Sequence, residues 1–82
     1  MITVYSRSNC QFCDMAKQLL DSRGVTYEVI NIEEQPEARE FLVDAGHRSV
    51  PQIYKNTQHI PGGYQGLAGM SEEEFNTKIK GQ

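Results

Sequence analysis

"SRSNCQFCDMAK", residues 6–17, carries the only two cysteines of the 82-residue chain, three positions apart and just after a short apolar run. Upstream, "ITVYS" (residues 2–6) is rich in β-branched and aromatic residues and reads as a strand. From Cys10 the period changes. Phe12, Met15, Ala16, Leu19 and Leu20 recur at helical spacing, with Asn9 as the expected N-cap and Gly24 just past the expected end. A strand running into a helix that opens on C-x-x-C is the feature from which the rest of the chain is read.

Working outward, "TYEVINI" (26–32) reads as a second strand, apolar on both faces in places, as for a strand covered on both sides. Pro36 opens a second helix, on which Ala38, Phe41, Leu42 and Ala45 form one face and which Gly46 closes. "QIYKNTQHI" (52–60) reads as two short strands around a turn near Asn56. In the last helix Ser71 and Glu74 form a capping box and Met70 staples onto Phe75. Acidic residues 72–74 stand at its start and Lys78 and Lys80 near its end. The predicted order is β-α-β-α-β-β-α, an α/β fold with a right-handed parallel crossover first and an antiparallel hairpin second. With no repeat, low-complexity tract or linker, residues 1–82 are expected to form one domain.

Composition narrows the function. A net charge of −3, with eight basic residues scattered along the chain, offers no stripe for nucleic acid. The longest purely apolar run is "FLV" at 41–43, far short of a membrane span. The opening "MITVYSRSN" lacks the pattern of a signal peptide, and two cysteines are too few for a secreted disulfide framework. The expectation is a soluble cytoplasmic protein.

The cysteine pair admits several readings. As a staple it is poor, because stabilisation grows with the length of loop closed and this loop is nearly minimal. As ligands the two thiols supply half of a tetrahedral zinc site. His47 and His59 stand twelve positions apart, far from the roughly three-to-five-residue gap of zinc-finger histidines. The redox reading has a positive mechanism. With Asn9 as cap, Cys10 falls in the first turn, where unpaired N–H groups and the positive dipole end stabilise a thiolate, and Arg7 adds charge. Such a site lowers a thiol pKa from about 8.5 toward neutrality or below. Cys13, one turn on and on the same side, suits a resolving thiol. A zinc site and an inert buried pair stand as the alternatives.

"YSRSNCQFCDMAKQLL" (5–20), "SVPQIY" (49–54) and "QHIPGGY" (58–64) resemble the glutaredoxins, in this order and at about the family's spacing. The resemblance implies a thioredoxin-like fold, with a four-stranded mixed sheet and three helices, acting as a thiol–disulfide oxidoreductase. It implies Cys10 as nucleophile, Cys13 as resolving thiol and a redox-active Cys10–Cys13 disulfide. Glutathione is implied as the reducing cosubstrate, with no bound cofactor or metal. The implied partners are glutathione and protein disulfides, with ribonucleotide reductase as one target, and the chain is expected to be a monomer.

The same resemblance implies a set of glutathione contacts. Arg7 attracts a carboxylate, Phe12 takes the place of the family's usual Tyr, and Ser49 stands where Thr is commoner. Val50 pairs through its backbone with the γ-glutamyl-cysteinyl peptide, and Pro51 is the cis-proline after it. Gly62, Gly63 and Tyr64 form the turn and helix start that hold the γ-glutamyl end, where free N–H groups bind a carboxylate. By themselves, Arg48 reads as a solvated charge and His47 and His59 as surface or hairpin residues. Tyr5, Tyr27, Phe41 and Phe75 read as core or half-core aromatics.

The sequence also departs from the family. Gln11-Phe12 replaces Pro-Tyr between the cysteines, and Pro61 is an extra residue before the glycines. Gln65 and Gly66 occupy positions where acidic residues commonly meet the glutathione amino group. These departures support a second reading: a redoxin reduced by a flavin-dependent thioredoxin reductase that donates electrons to ribonucleotide reductase. A module binding an iron–sulfur cluster or zinc is a third, against which the second cysteine argues.

Overall fold

The first strand, "ITVYS", is buried along nearly its whole length, and the sheet is assembled around it. In the computed structural model, which describes residues 1–81, β1 spans Ile2–Ser6, α1 Gln11–Ser22, β2 Tyr27–Asn31 and α2 Pro36–Asp44. The hairpin β3 (Gln52–Lys55) and β4 (Gln58–Ile60) follows, then α3 (Gly63–Ala68) and α4 (Glu72–Phe75), which continues as a wide π-helical stretch, Asn76–Lys80. The strands form one four-stranded mixed sheet in the order β2-β1-β3-β4. β2 runs parallel to β1, and β3 is antiparallel to both β1 and β4.

Register places Val4 opposite Ile53, and Ile53 opposite Ile60, in one row across the sheet. Ala16 and Leu20 of α1, Leu67 of α3, and Phe75 and Ile79 of the C-terminal helix complete this buried core. Each large apolar side chain removed from water here contributes roughly 1.5–3 kcal/mol. The opposite face carries Tyr5 and Tyr54, edge to face at 5.7 Å, with Phe41 of α2 tilted against both.

Several expectations are corrected. β2 is an edge strand, so Glu28 and Val29 lie exposed instead of covered on both sides. On α1 the buried stripe is Cys13, Ala16 and Leu20, and Phe12 points outward. On α2 only Ala38 and Leu42 are buried; Phe41 leans over the two tyrosines and keeps 44% of its surface, while Ala45 is exposed. The helix started at Gly63 is a separate short one, which lengthens the order to β-α-β-α-β-β-α-α. Gly62 turns into it with φ +94°, and Gly66 packs so closely on Pro61 that a Cβ there would run into the Pro61 carbonyl oxygen.

The last helix starts as half of the expected capping box. Ser71 Oγ accepts the Glu74 N–H at 3.1 Å, but the Glu74 carboxylate accepts from Lys78 at 3.0 Å instead of reaching back. Met70 packs against the cluster that contains Phe75. Among the described residues no helix is long and apolar enough to cross a membrane.

Candidate active site

The loop from β1 to α1 decides how the cysteines are presented. Asn9 adopts φ +56°, the left-handed region that Asn tolerates better than most residues. An N-cap needs extended backbone, so Asn9 turns the chain and Cys10 becomes the cap, with φ −115° and ψ 104°. This corrects the expectation that Asn9 caps the helix. The Cys10 Sγ accepts the Cys13 N–H at 3.2 Å, which puts the sulfur itself at the positive end of α1.

Cys10 and Cys13 are joined as a disulfide with their Cα atoms 5.2 Å apart. The two sulfurs are not equivalent: Cys13 is fully buried and Cys10 is half-buried. The preceding loop is tied down by Glu33, whose carboxylate accepts the Ser8 N–H at 2.7 Å. That backbone hydrogen bond, then the Ser8 side chain and the charges of Arg7 and Arg39, hold the Glu33 carboxyl below the usual carboxylate range.

The start of β3 supplies the other wall. The Val50–Pro51 peptide bond is cis, and the Val50 carbonyl oxygen lies 3.9 Å from Cys10 Sγ. A hollow of about 420 Å³ opens beside it and gathers Phe12, Ser49, Val50, Pro51, Gly62, Gly63, Tyr64 and Gln65 from three separate segments. The Phe12 and Tyr64 rings flank it with centroids 6.2 Å apart. Arg7 is not in this hollow. It lines a neighbouring groove of about 440 Å³ that shares Ser49 and Val50 and also holds Arg39 and Arg48.

Two histidines expected as surface or hairpin residues also reach the site. His59 stands in the hairpin as expected, but both rings are half-buried in the wall of the hollow, 4.4 Å apart, so neither is a free surface side chain. His47 Nε2 is 2.9 Å from the Tyr54 hydroxyl, and His59 Nε2 is 2.9 Å from Gln52 Oε1. Burial, and then the charge of His47, push the His59 pKa down. For His59 the hairpin alternation was an available signal, since pairing about Asn56 sets it opposite Tyr54. Nothing local marks His47. Among the described residues no three His, Cys, Asp or Glu side chains converge as a metal set.

Residues 2–60 match the family model described as Glutaredoxin. The chain is 43% identical over 56 residues to the glutaredoxin-like protein NrdH of Lactococcus lactis subsp. lactis (strain IL1403), covering 68% of this chain and 78% of that one. It is 36% identical over 62 residues to glutaredoxin 3 of Escherichia coli (strain K12), covering 74% and 75% of the two chains. Among solved structures it resembles the NrdH-redoxin of Escherichia coli, described as having a thioredoxin-like activity profile. The TM-score is 0.72 at 32% identity, over 79% of this chain and 84% of that one.

Proposed function

Since this chain belongs to the glutaredoxin family and is a thiol–disulfide oxidoreductase with a C-x-x-C motif, we propose that it reduces protein disulfides and glutathione mixed disulfides at the expense of glutathione. The Cys10 thiolate attacks one sulfur of the substrate disulfide, forms a mixed disulfide and expels the other sulfur as a thiolate that takes up a proton. The Cys13 thiolate then attacks Cys10 Sγ, releases the second substrate thiol and leaves the Cys10–Cys13 disulfide. Two glutathione molecules restore the dithiol and depart as glutathione disulfide. No bound cofactor takes part.

The observation that carries this reading is the hollow lined by Val50 and by the start of α3, with the Val50 carbonyl oxygen 3.9 Å from Cys10 Sγ. In the proposed pose the γ-glutamyl-cysteinyl peptide pairs with the Val50 backbone between Ser49 and Pro51. The γ-glutamyl carboxylate meets the free N–H groups at Gly62, Gly63 and Tyr64, and Gln65 lies beside the ammonium group. Phe12 covers the pocket and Arg7 draws the glycine carboxylate. Cys10 suits the nucleophile because its sulfur sits at a helix N-terminus and is reachable; Cys13 suits the resolving thiol because it is buried. The proposed setting is a monomeric, single-domain protein of the cytoplasm.

A second reading has its own support. Gln65 and Gly66 offer no carboxylate to the glutathione ammonium, and the NrdH-redoxin that this fold resembles is described as thioredoxin-like in activity. In that reading thioredoxin reductase supplies the electrons and ribonucleotide reductase receives them. One experiment separates the two: the oxidised protein is offered either reduced glutathione or NADPH with thioredoxin reductase, and return of the dithiol is followed. Recovery with glutathione, together with turnover of a glutathione mixed disulfide, is the expected result. Recovery with the reductase alone would transfer the function to the second reading.

A further inference from the structure

The segment between α2 and β3 carries Val50 past Cys10, and it is held by side chains rooted in the hairpin beyond it. Gln52 is 8% exposed, and both ends of its amide are engaged. Its Nε2 donates to the Ser49 carbonyl oxygen at 2.8 Å, so its Oε1 faces His59 Nε2 at 2.9 Å. Because that oxygen can only accept, His59 must carry its proton on Nε2. His47, at the other end of the same segment, is 2.9 Å from the Tyr54 hydroxyl, and its ring packs on that of His59.

We propose that Gln52 and His59 are positioning residues: the chain from His59 Nε2–H to Gln52 Oε1, and from Gln52 Nε2–H to the Ser49 carbonyl, sets the Ser49–Val50 backbone for an incoming peptide. The proposal rests on the reading that Val50 receives the peptide of the substrate. Neither side chain touches the reacting sulfurs. The relay acts on how well a peptide disulfide is seated and not on the reactivity of Cys10. A buried amide that loses one partner leaves a polar atom unsatisfied, and the backbone it held is free to shift. A disulfide without a peptide group does not use the Val50 edge, so it is indifferent to the relay.

The test uses pre-reduced protein in single turnover with two substrates that release the same chromophore. One is the mixed disulfide of glutathione with 4-thiopyridine; the other is 4,4′-dithiodipyridine, which has no peptide. In each, Cys10 forms a new S–S bond as the old one breaks, and thiopyridone leaves with the electron pair. Gln52→Leu is expected to raise the half-saturating concentration of the glutathionyl substrate by roughly three- to tenfold, the worth of one such hydrogen bond. Its limiting rate and its rate with dithiodipyridine stay within about twofold of wild type on the same estimate. His59→Leu shifts the half-saturating concentration in the same direction, and His59→Gln, which presents an Nε2 donor again, restores it. Equal slowing with both substrates, or no shift with either, overturns the relay. If wild type treats the two substrates alike and does not saturate with the glutathionyl one, the reading of Val50 falls first and the relay with it.

Discussion

Cys10 caps the helix that carries Cys13: its Sγ accepts the Cys13 N–H at 3.2 Å, while Cys13 itself is fully buried and Cys10 is not. The pair is thereby divided into an outer sulfur at the positive helix end and an inner one reachable only through it. Cys10→Ser is expected to abolish every activity, because in the proposed cycle its thiolate is the attacking group. Cys13→Ser is expected to lose reduction of protein disulfides but to keep some removal of glutathione from mixed disulfides, where a second glutathione resolves the intermediate. Assaying each variant on both substrate types checks this, and equal loss in both assays for Cys13→Ser would sink the division of roles.

Gln65 lines the hollow as an exposed neutral amide. With the γ-glutamyl end of glutathione over Gly63 and Tyr64, a carboxylate at this position faces an ammonium group across solvent. An exposed pair is worth about 0–1 kcal/mol and a sheltered one more, so Gln65→Asp is expected to contribute roughly 0.5–1.5 kcal/mol, or about two- to tenfold in kcat/KM for a glutathione mixed disulfide. The gain shrinks at high ionic strength. Rates unchanged at low salt would mean that glutathione lies elsewhere or is not the reductant.

Gly66 cannot serve the same purpose. A Cβ there collides with the Pro61 carbonyl oxygen, so Gly66→Asp tests packing and not charge. Gly66→Ala is expected to destabilise the fold by about 1–3 kcal/mol, the usual cost of overpacking against backbone. Urea denaturation compares it with wild type, and an unshifted midpoint contradicts the close approach of α3 to Pro61.

The lowered pKa of His59 makes stability depend on pH. Burial and the neighbouring His47 hold the His59 pKa below its usual 6.5 in the folded state. On acidification the unfolded chain therefore takes up this proton first. The contribution is fully present above about 6.5 and is lost as the pH falls through the folded-state pKa. Denaturation midpoints are expected to drop between neutral and mildly acidic pH, and His59→Gln should drop less over the same interval because it has nothing to protonate. Parallel curves for the two proteins would show that His59 does not control this loss.

The four strands, the cysteine chemistry and every helix but the short α3 are encoded locally and legible in the sequence. The β-branched and aromatic run of residues 2–6, the helical period after Cys10, Pro36 at a helix start, the turn at Asn56 and Ser71 at a cap are each decided by a few neighbouring residues, and each stands in the structure. The C-x-x-C pair and the three motifs that resemble the glutaredoxins were legible for the same reason. What depended on contacts between distant segments was not. The exposure of β2 follows from its place at the edge of the sheet, and the outward turn of Phe12 from which stripe of α1 meets that sheet. The transfer of the cap from Asn9 to Cys10 follows from a backbone angle that the tertiary loop imposes. His47 and His59 are twelve residues apart in the chain and 4.4 Å apart in space, with His47 held against Tyr54 of the hairpin at 2.9 Å. Tertiary structure alone brought them, with Gln52, to the wall of the site.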